Sequence, residues 1–174
     1  GASAYAWSEG TGTFILDRTI AGEDSSRGNA IANDGTATGW TAPGRTAAAW
    51  VDGTERYICG DIADGTEGWF CNEGWDITPS GSHIAYTGAG PEDFNVRGQI
   101  VDVATGANTT IPFPPAPGDP FWDTLSVWAI SDDGKTAVGE FGGGGFFGSP
   151  PYPVVWVEGI GTIDLQIMLL GQGL

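Results

Sequence analysis

Positive charge is scarce in this sequence: six Lys and Arg stand against 22 Asp and Glu, a formal net charge of −16 over 174 residues. A surface that acidic repels phosphate backbones and anionic lipid, so neither nucleic-acid binding nor charge-driven membrane attachment is expected. Apolar runs are short. None approaches the roughly 20 residues needed to span a bilayer. The sequence opens neither on Met nor on a charged stretch followed by an apolar one, and no secretory leader is read in it. With a single His, His83, and no nucleophile-elbow pattern, a Ser-His-Asp hydrolase is not expected. Carboxylate pairs among the acids stay open at this level, since a glycosidase-type pair carries no sequence mark. The expectation is a protein that is not an enzyme.

Cysteine is nearly absent too. Cys59 and Cys71 are the only thiols, and a bond between them would close a short loop and stabilise by about 3 kcal/mol on a chain-entropy estimate. Such a disulfide is expected, with two free thiols as the alternative, and it would place the protein outside the reducing cytosol. Metal ligation by this pair would need more His or Cys than the chain holds.

What is present points to one architecture. Thirty Gly and eleven Pro break helix interiors, and only 16% of residues are charged. Eight Trp and eight Phe supply the large apolar side chains that a disordered Gly-rich tract lacks. The consequence is an all-β domain of many short strands, and 174 residues suffice for one sizeable core.

The most informative stretch is VWAISDDGKTAVGE, from Val127 to Glu140. Two β-compatible runs flank Asp133-Gly134, a strong hairpin signal because Gly accepts positive φ without steric cost. Weaker copies are AIANDGTATG, with Asp34-Gly35, and DITPSGSHIAYTG, with Ser80-Gly81. In each copy an Ile (Ile31, Ile77, Ile130) precedes the turn Gly by four positions, and the copies recur close to the roughly 40–50-residue length of a four-stranded propeller blade. This spacing divides residues 1–174, read as a single repeat domain, into a half blade at 1–18, blades at 28–60, 73–113 and 126–166, and a tail at 167–174. The segment from Leu165 onward reads as a short apolar helix or a strand awaiting a partner, and Pro112 to Pro120 as an irregular connector. Trp7, Trp50 and Trp156 occupy the same place in successive units and, with Ile31, Ile77, Val101 and Ile130, are expected in the core between blades.

The unit Ala-Ile-Ser-x-Asp-Gly, followed by a Trp strand and a Gly-Thr turn, resembles the HAF-type extracellular repeat of bacterial surface proteins. It is carried by AISDDGKTAVGE with PVVWVEGIGTIDL, by AIANDGTATG with AAAWVDG, and by the half unit AYAWSEGTG. The middle unit, ITPSGSHIAYTG with IVDVATG, is similar to blades of TolB-like propellers. The resemblance implies a β-propeller-like module, secreted or held at the bacterial cell surface, without a general catalytic site.

About three and a half blades are counted, and the first lacks its two inner strands. Another chain, or a neighbouring segment of the same one, is expected to complete that sheet by strand addition, giving an oligomer or a filament. The leading expectation for function is therefore a structural, self-associating extracellular repeat protein. The runner-up is glycan or protein binding through loop aromatics: Trp69 and Phe70, Phe121 and Trp122, Phe146 and Phe147. Asp34, Asp132 and Asp133 invite comparison with calcium loops, but Pro79 and Ser80 replace the acids in the second copy and the alternating acids of an EF-hand loop are missing. Turn residues rather than ligands are expected there, with no cofactor and Ca²⁺ as the minor alternative.

Overall fold

The computed structural model of the protein describes residues 3–10, 12–16, 25–42, 45–58, 70–89, 96–115, 124–142 and 150–173. The fold is all-β. Strands β1 (Tyr5–Ser8) and β2 (Gly12–Ile15) form a two-stranded sheet. Three four-stranded sheets follow: β3 (Ser26–Ile31), β4 (Ala37–Thr41), β5 (Thr46–Val51) and β6 (Thr54–Tyr57); β7 (Phe70–Ile77), β8 (His83–Ala89), β9 (Arg97–Asp102) and β10 (Asn108–Thr110); β11 (Thr124–Ile130), β12 (Thr136–Gly142), β13 (Tyr152–Val157) and β14 (Gly161–Asp164). Each is a meander in which consecutive strands pair antiparallel, and they are called here the first, second and third blade. A short helix, α1 (Leu165–Gly171), ends the described chain, capped by the Asp164 carboxylate, which accepts from Gln166 N at 2.8 Å and Ile167 N at 3.2 Å.

The turn chemistry explains the hairpins that open each blade. Gly35, Gly81 and Gly134 adopt φ of +91°, +75° and +72°, and the residue before each supplies an oxygen that accepts a backbone N–H two positions on. Asp34 accepts from Thr36 at 2.9 Å, Ser80 from Ser82 at 3.4 Å and Asp133 from Lys135 at 3.0 Å. A hydroxyl thus replaces a carboxylate in the second blade with the same turn geometry. In every blade the first strand carries a bulge ahead of the turn, at Gly74/Asp76 in the second and at Gly28/Ala30 and Val127/Ala129 in the first and third. Opposite it, in the first and third blades, the second strand carries Gly39 or Gly139, where a Cβ would sit 1.9 or 1.8 Å from the carbonyl oxygen of Arg27 or Ser126.

The core lies between sheets. Ala37, Ala48 and Trp50 of the first blade pack on Ala4, Ala6 and Leu16 of the two-stranded sheet. The opposite face of that blade, Ala47, Ala49 and Ile58, packs on Ile77, Ile84, Tyr86 and Val101 of the second. Ala85 and Ile100 of the second blade then meet Leu125, Val127, Ala137 and Trp156 of the third. The register repeats: Ala37 pairs with Trp50, Ile84 with Val101 and Ala137 with Trp156. Each second strand sets a residue beside the third-strand position that faces the preceding sheet.

That rule corrects two core expectations. Trp50 is 0% exposed, and Ile77, Val101 and Trp156 are buried, but Trp7 is 66% exposed and Ile31 52%. Trp7 is the β1 counterpart of Trp50, because Leu16 N donates to Ala4 O as Ile58 N donates to Ala47 O. Trp7 therefore points away from the first blade, toward a preceding sheet that the described residues do not contain, whereas Ile31, paired with Ala37, faces the side of the two-stranded sheet and lines a cleft with Tyr5 and Trp7. Ile130, by contrast, is half-buried against the second–third blade core.

Candidate functional site

Three places bring chemically capable groups together, and sequence reasoning saw only part of each. At one end of the blades the Gly turns interlock. Asn33 N donates to Pro79 O at 2.9 Å, and the Asp34 carboxylate lies so close to Gly81 that a Cβ there would be 2.4 Å from it. The His83 ring lies against Gly134 in the same manner. His83 Nδ1 is 2.8 Å from Ser82 Oγ, and its Nε2 is 3.9 Å from Asp102 Oδ2. Asp102 is held below the ordinary carboxylate range chiefly by the Thr105 backbone N–H, then by the Thr105 hydroxyl. Hydrogen bonding from the Ser131 hydroxyl, then the Lys135 N–H, lowers Asp133 as well. These acids serve the turns, and among the described residues no three His, Cys, Asp or Glu side chains gather as metal ligands.

A second cluster was missed altogether in the sequence. Glu73, on β7, is fully buried and reaches back to the first blade. Asn29 Nδ2 donates to its Oε1 at 2.6 Å, Arg45 Nη2 contacts its Oε2, and Arg27 Nη2 stands 3.8 Å away. Two of the chain's six basic residues thus converge on one carboxylate. Both oxygens are engaged, as a buried charge requires. The arrangement fixes one blade on the next. Only the scarcity of Arg could have drawn attention to it.

The third place is the edge of β1. Because Ala4 and Leu16 exchange a hydrogen bond at 3.0 Å, alternation along the antiparallel pair turns the N–H and C=O of Tyr5 and Trp7 away from β2. In the first blade the matching groups, on Ala48 and Trp50, meet β4. On β1 they meet no strand among the described residues. A cleft of about 190 Å³ lies alongside, lined by Tyr5, Trp7, Leu16, Asn29, Ile31 and Ala37 among others. A larger groove of about 820 Å³ lies at the third blade, where Pro114, Phe141, Pro151, Tyr152, Ile163 and Ile167 contribute.

Of the aromatics singled out for binding, Trp69, Phe121, Trp122, Phe146 and Phe147 lie outside the described residues, and Phe70 is described only as the backbone that opens β7. Cys59 is likewise outside them, while the Cys71 backbone pairs with Gly88.

No known protein family and no curated protein sequence matches the chain. Solved structures do. It superposes on a putative TolB from Agrobacterium tumefaciens with a TM-score of 0.54 and 13% identity, over 88% of this chain and 52% of that one. It superposes on TolB from Acinetobacter baumannii with a TM-score of 0.55 and 14% identity, over 92% and 37% respectively. The fold is that of β-propeller blades. At this identity the likeness shows the fold alone, and the chain spans about half of one propeller protein and 37% of the other. In propeller terms, β7 packs on the first blade and β11 on the second. The β1 edge matches a blade position whose first two strands are not among the described residues. No helix among the described residues is long and apolar enough to cross a membrane.

Proposed function

We propose that this chain is a non-catalytic section of an extracellular or cell-envelope β-propeller and that it works by assembly, its uncovered blade faces being covered by further copies of the chain. The observation that carries the reading is the contrast between equivalent positions. Thr38 and Ala85, which face the following blade, are fully buried, whereas Val138 at the same position of the third blade is 41% exposed. Ile167 and Leu170 of α1 are exposed beside that blade. At the other end Tyr5, Trp7 and Ile15 are exposed together. Apolar surface at both ends of a blade series matches an interface that repeats head to tail.

The location outside the cytosol is supported by the Cys59–Cys71 spacing and by the HAF-type residue pattern. Partner and glycan binding remain the competing class, favoured by the apolar groove at Phe141 and Tyr152. Sedimentation velocity and negative-stain microscopy across concentration separate the two. Association that grows with concentration and is weakened by Trp7→Ser or Val138→Glu is expected. A well-folded monomer at every concentration, indifferent to both substitutions, would sink the assembly reading and turn attention to the groove.

A further inference from the structure

Four Asp-Gly pairs occur in the chain, at Asp34, Asp52, Asp64 and Asp133, and Asp64 lies outside the described residues. The other three aspartates are all exposed and all sit in turns, yet their surroundings differ. We propose that Asp52 is a site of self-modification, at which the Asp52-Gly53 turn rearranges through a cyclic imide to an isoaspartyl link, while the blade-opening turns protect Asp34 and Asp133. The inference goes beyond the assembly reading and stands without it.

An Asp-Gly pair isomerises when the Gly nitrogen attacks the side-chain carboxyl of the Asp before it. The nitrogen must shed its proton, and the carboxyl must be free to swing toward it in the neutral acid form. In the blade-opening turns both groups are engaged. Gly35 N donates to Ala32 O at 3.1 Å and Gly134 N to Ser131 O at 2.9 Å. Asp34 Oδ1 accepts from Thr36 N at 2.9 Å, and Asp133 Oδ1 accepts from the Ser131 hydroxyl at 2.7 Å and from Lys135 N at 3.0 Å. The Ser131 and Lys135 bonds hold the Asp133 carboxyl below its ordinary range, so its neutral form is rarer as well.

The Asp52-Gly53 turn is built differently. It is the two-residue loop between β5 and β6, closed by the Val51–Thr54 pair. Both loop residues are left-handed, with φ of +51° and +74°, a conformation that matches the twist of the flanking strands. Among the described residues nothing is hydrogen-bonded to Gly53 N or to the Asp52 carboxylate. Both residues are exposed, and a Cβ placed on Gly53 would meet no atom within 4 Å. Nucleophile and electrophile are adjacent and unengaged.

The step needs no reagent besides water. Gly53 N bonds to Asp52 Cγ, its proton and the carboxyl hydroxyl leave as water, and a five-membered imide closes. Water then cleaves the bond from that nitrogen to the Asp52 backbone carbonyl carbon. The chain now runs through Cβ and Cγ, the old backbone carbonyl has become a carboxylate, and mass and charge return to their starting values. One methylene has entered the link, more than a two-residue loop absorbs with Val51 still opposite Thr54. Because β6 is an outer strand of its blade, the pairing of β3, β4 and β5 survives.

The test incubates the full chain in warm, mildly acidic buffer, natively and in urea, and reads isoaspartate at each site by peptide mapping with electron-transfer fragmentation. In the native chain isomerisation at Asp52 is expected to run roughly tenfold or more ahead of Asp34 and Asp133, which must first break hydrogen bonds worth about 1 kcal/mol apiece. In urea the three rates are expected to converge. Asp52→Glu is expected to stay unmodified, because its longer side chain closes a six-membered ring less readily. Aged native protein is expected to exchange the Thr54 amide faster, with Thr38 and Ala49 unchanged. No isoaspartate at Asp52, equal native rates at the three sites, or a rate at Asp52 that rises on unfolding as steeply as the others overturns the inference. So does a native ranking that persists in urea, since neighbouring sequence and not the turn would then set it.

Discussion

Residues that are alike in sequence carry different loads here, and the difference is measurable. Trp50→Ala removes a fully buried indole between two sheets and is expected to cost about 3–5 kcal/mol. Trp7→Ala, at the matching but exposed position, is expected to stay within about 0.5 kcal/mol in the monomer. Urea unfolding of the two variants side by side checks both values. Tyr86 offers a pH signature. Burial pushes its phenol up to about 12 from 10.0, opposed by the Asn108 amide, which donates to the hydroxyl at 2.5 Å. The folded state then holds a proton that the unfolded state releases, so stability is intact below pH 10 and falls as pH rises toward 12. Tyr86→Phe is expected to remove that part of the alkaline loss, read from midpoints of denaturation at stepped pH. Asp102 runs the other way. Its contribution is present above the ordinary value of 3.8 and disappears as pH falls below it, so Asp102→Asn is expected to flatten the acid limb of the same curve.

At the scale of single elements, the hairpins open on glycines whose φ is positive, and in the first and third blades the second strand depends on a glycine for close approach. Gly139→Ala drives a Cβ into the Ser126 carbonyl and is expected to destabilise by about 1–3 kcal/mol, as other forced backbone shifts do; thermal unfolding against wild type checks it. This level was the legible one. Asp-Gly between β-compatible runs, and the recurrence of Ile, turn Gly and Trp, marked four-stranded units because those signals are local. The bulges at Gly28/Ala30 and Val127/Ala129 were not legible, since a bulge is set by how two strands cross and not by the residue type at the bulge. Glu73 escaped for a related reason. Its partners are Asn29, Arg27 and Arg45, at least 28 residues distant in sequence, and nothing local distinguishes it from the acids that face solvent. Trp7 was misplaced because the repeat pattern assigns a residue its direction but not the neighbour that would cover it. α1 resolved an ambiguity that apolar composition alone left open: Asp164 caps it, and it lies against β13 and β14.

For the molecule as a whole, charge and apolar ends pull in opposite directions. Copies at a net charge of −16 repel one another, and added salt screens that repulsion over about 10 Å at 0.1 M. Head-to-tail association is therefore expected to strengthen with sodium chloride, seen as a rise in mean sedimentation coefficient; weakening with salt would assign the contacts to ion pairs. A different consequence follows from cores that lie between sheets and not within them. A blade that opens takes half of a core away from each neighbour, so no blade is an independent folding unit, and cooperativity passes along the series through nearest neighbours. Melting then starts at the ends and moves inward as a front. The slowest-exchanging amides belong to β4, β5, β7 and β8, which have a covered sheet on both sides. Capping either end adds stability at the far blade without touching it.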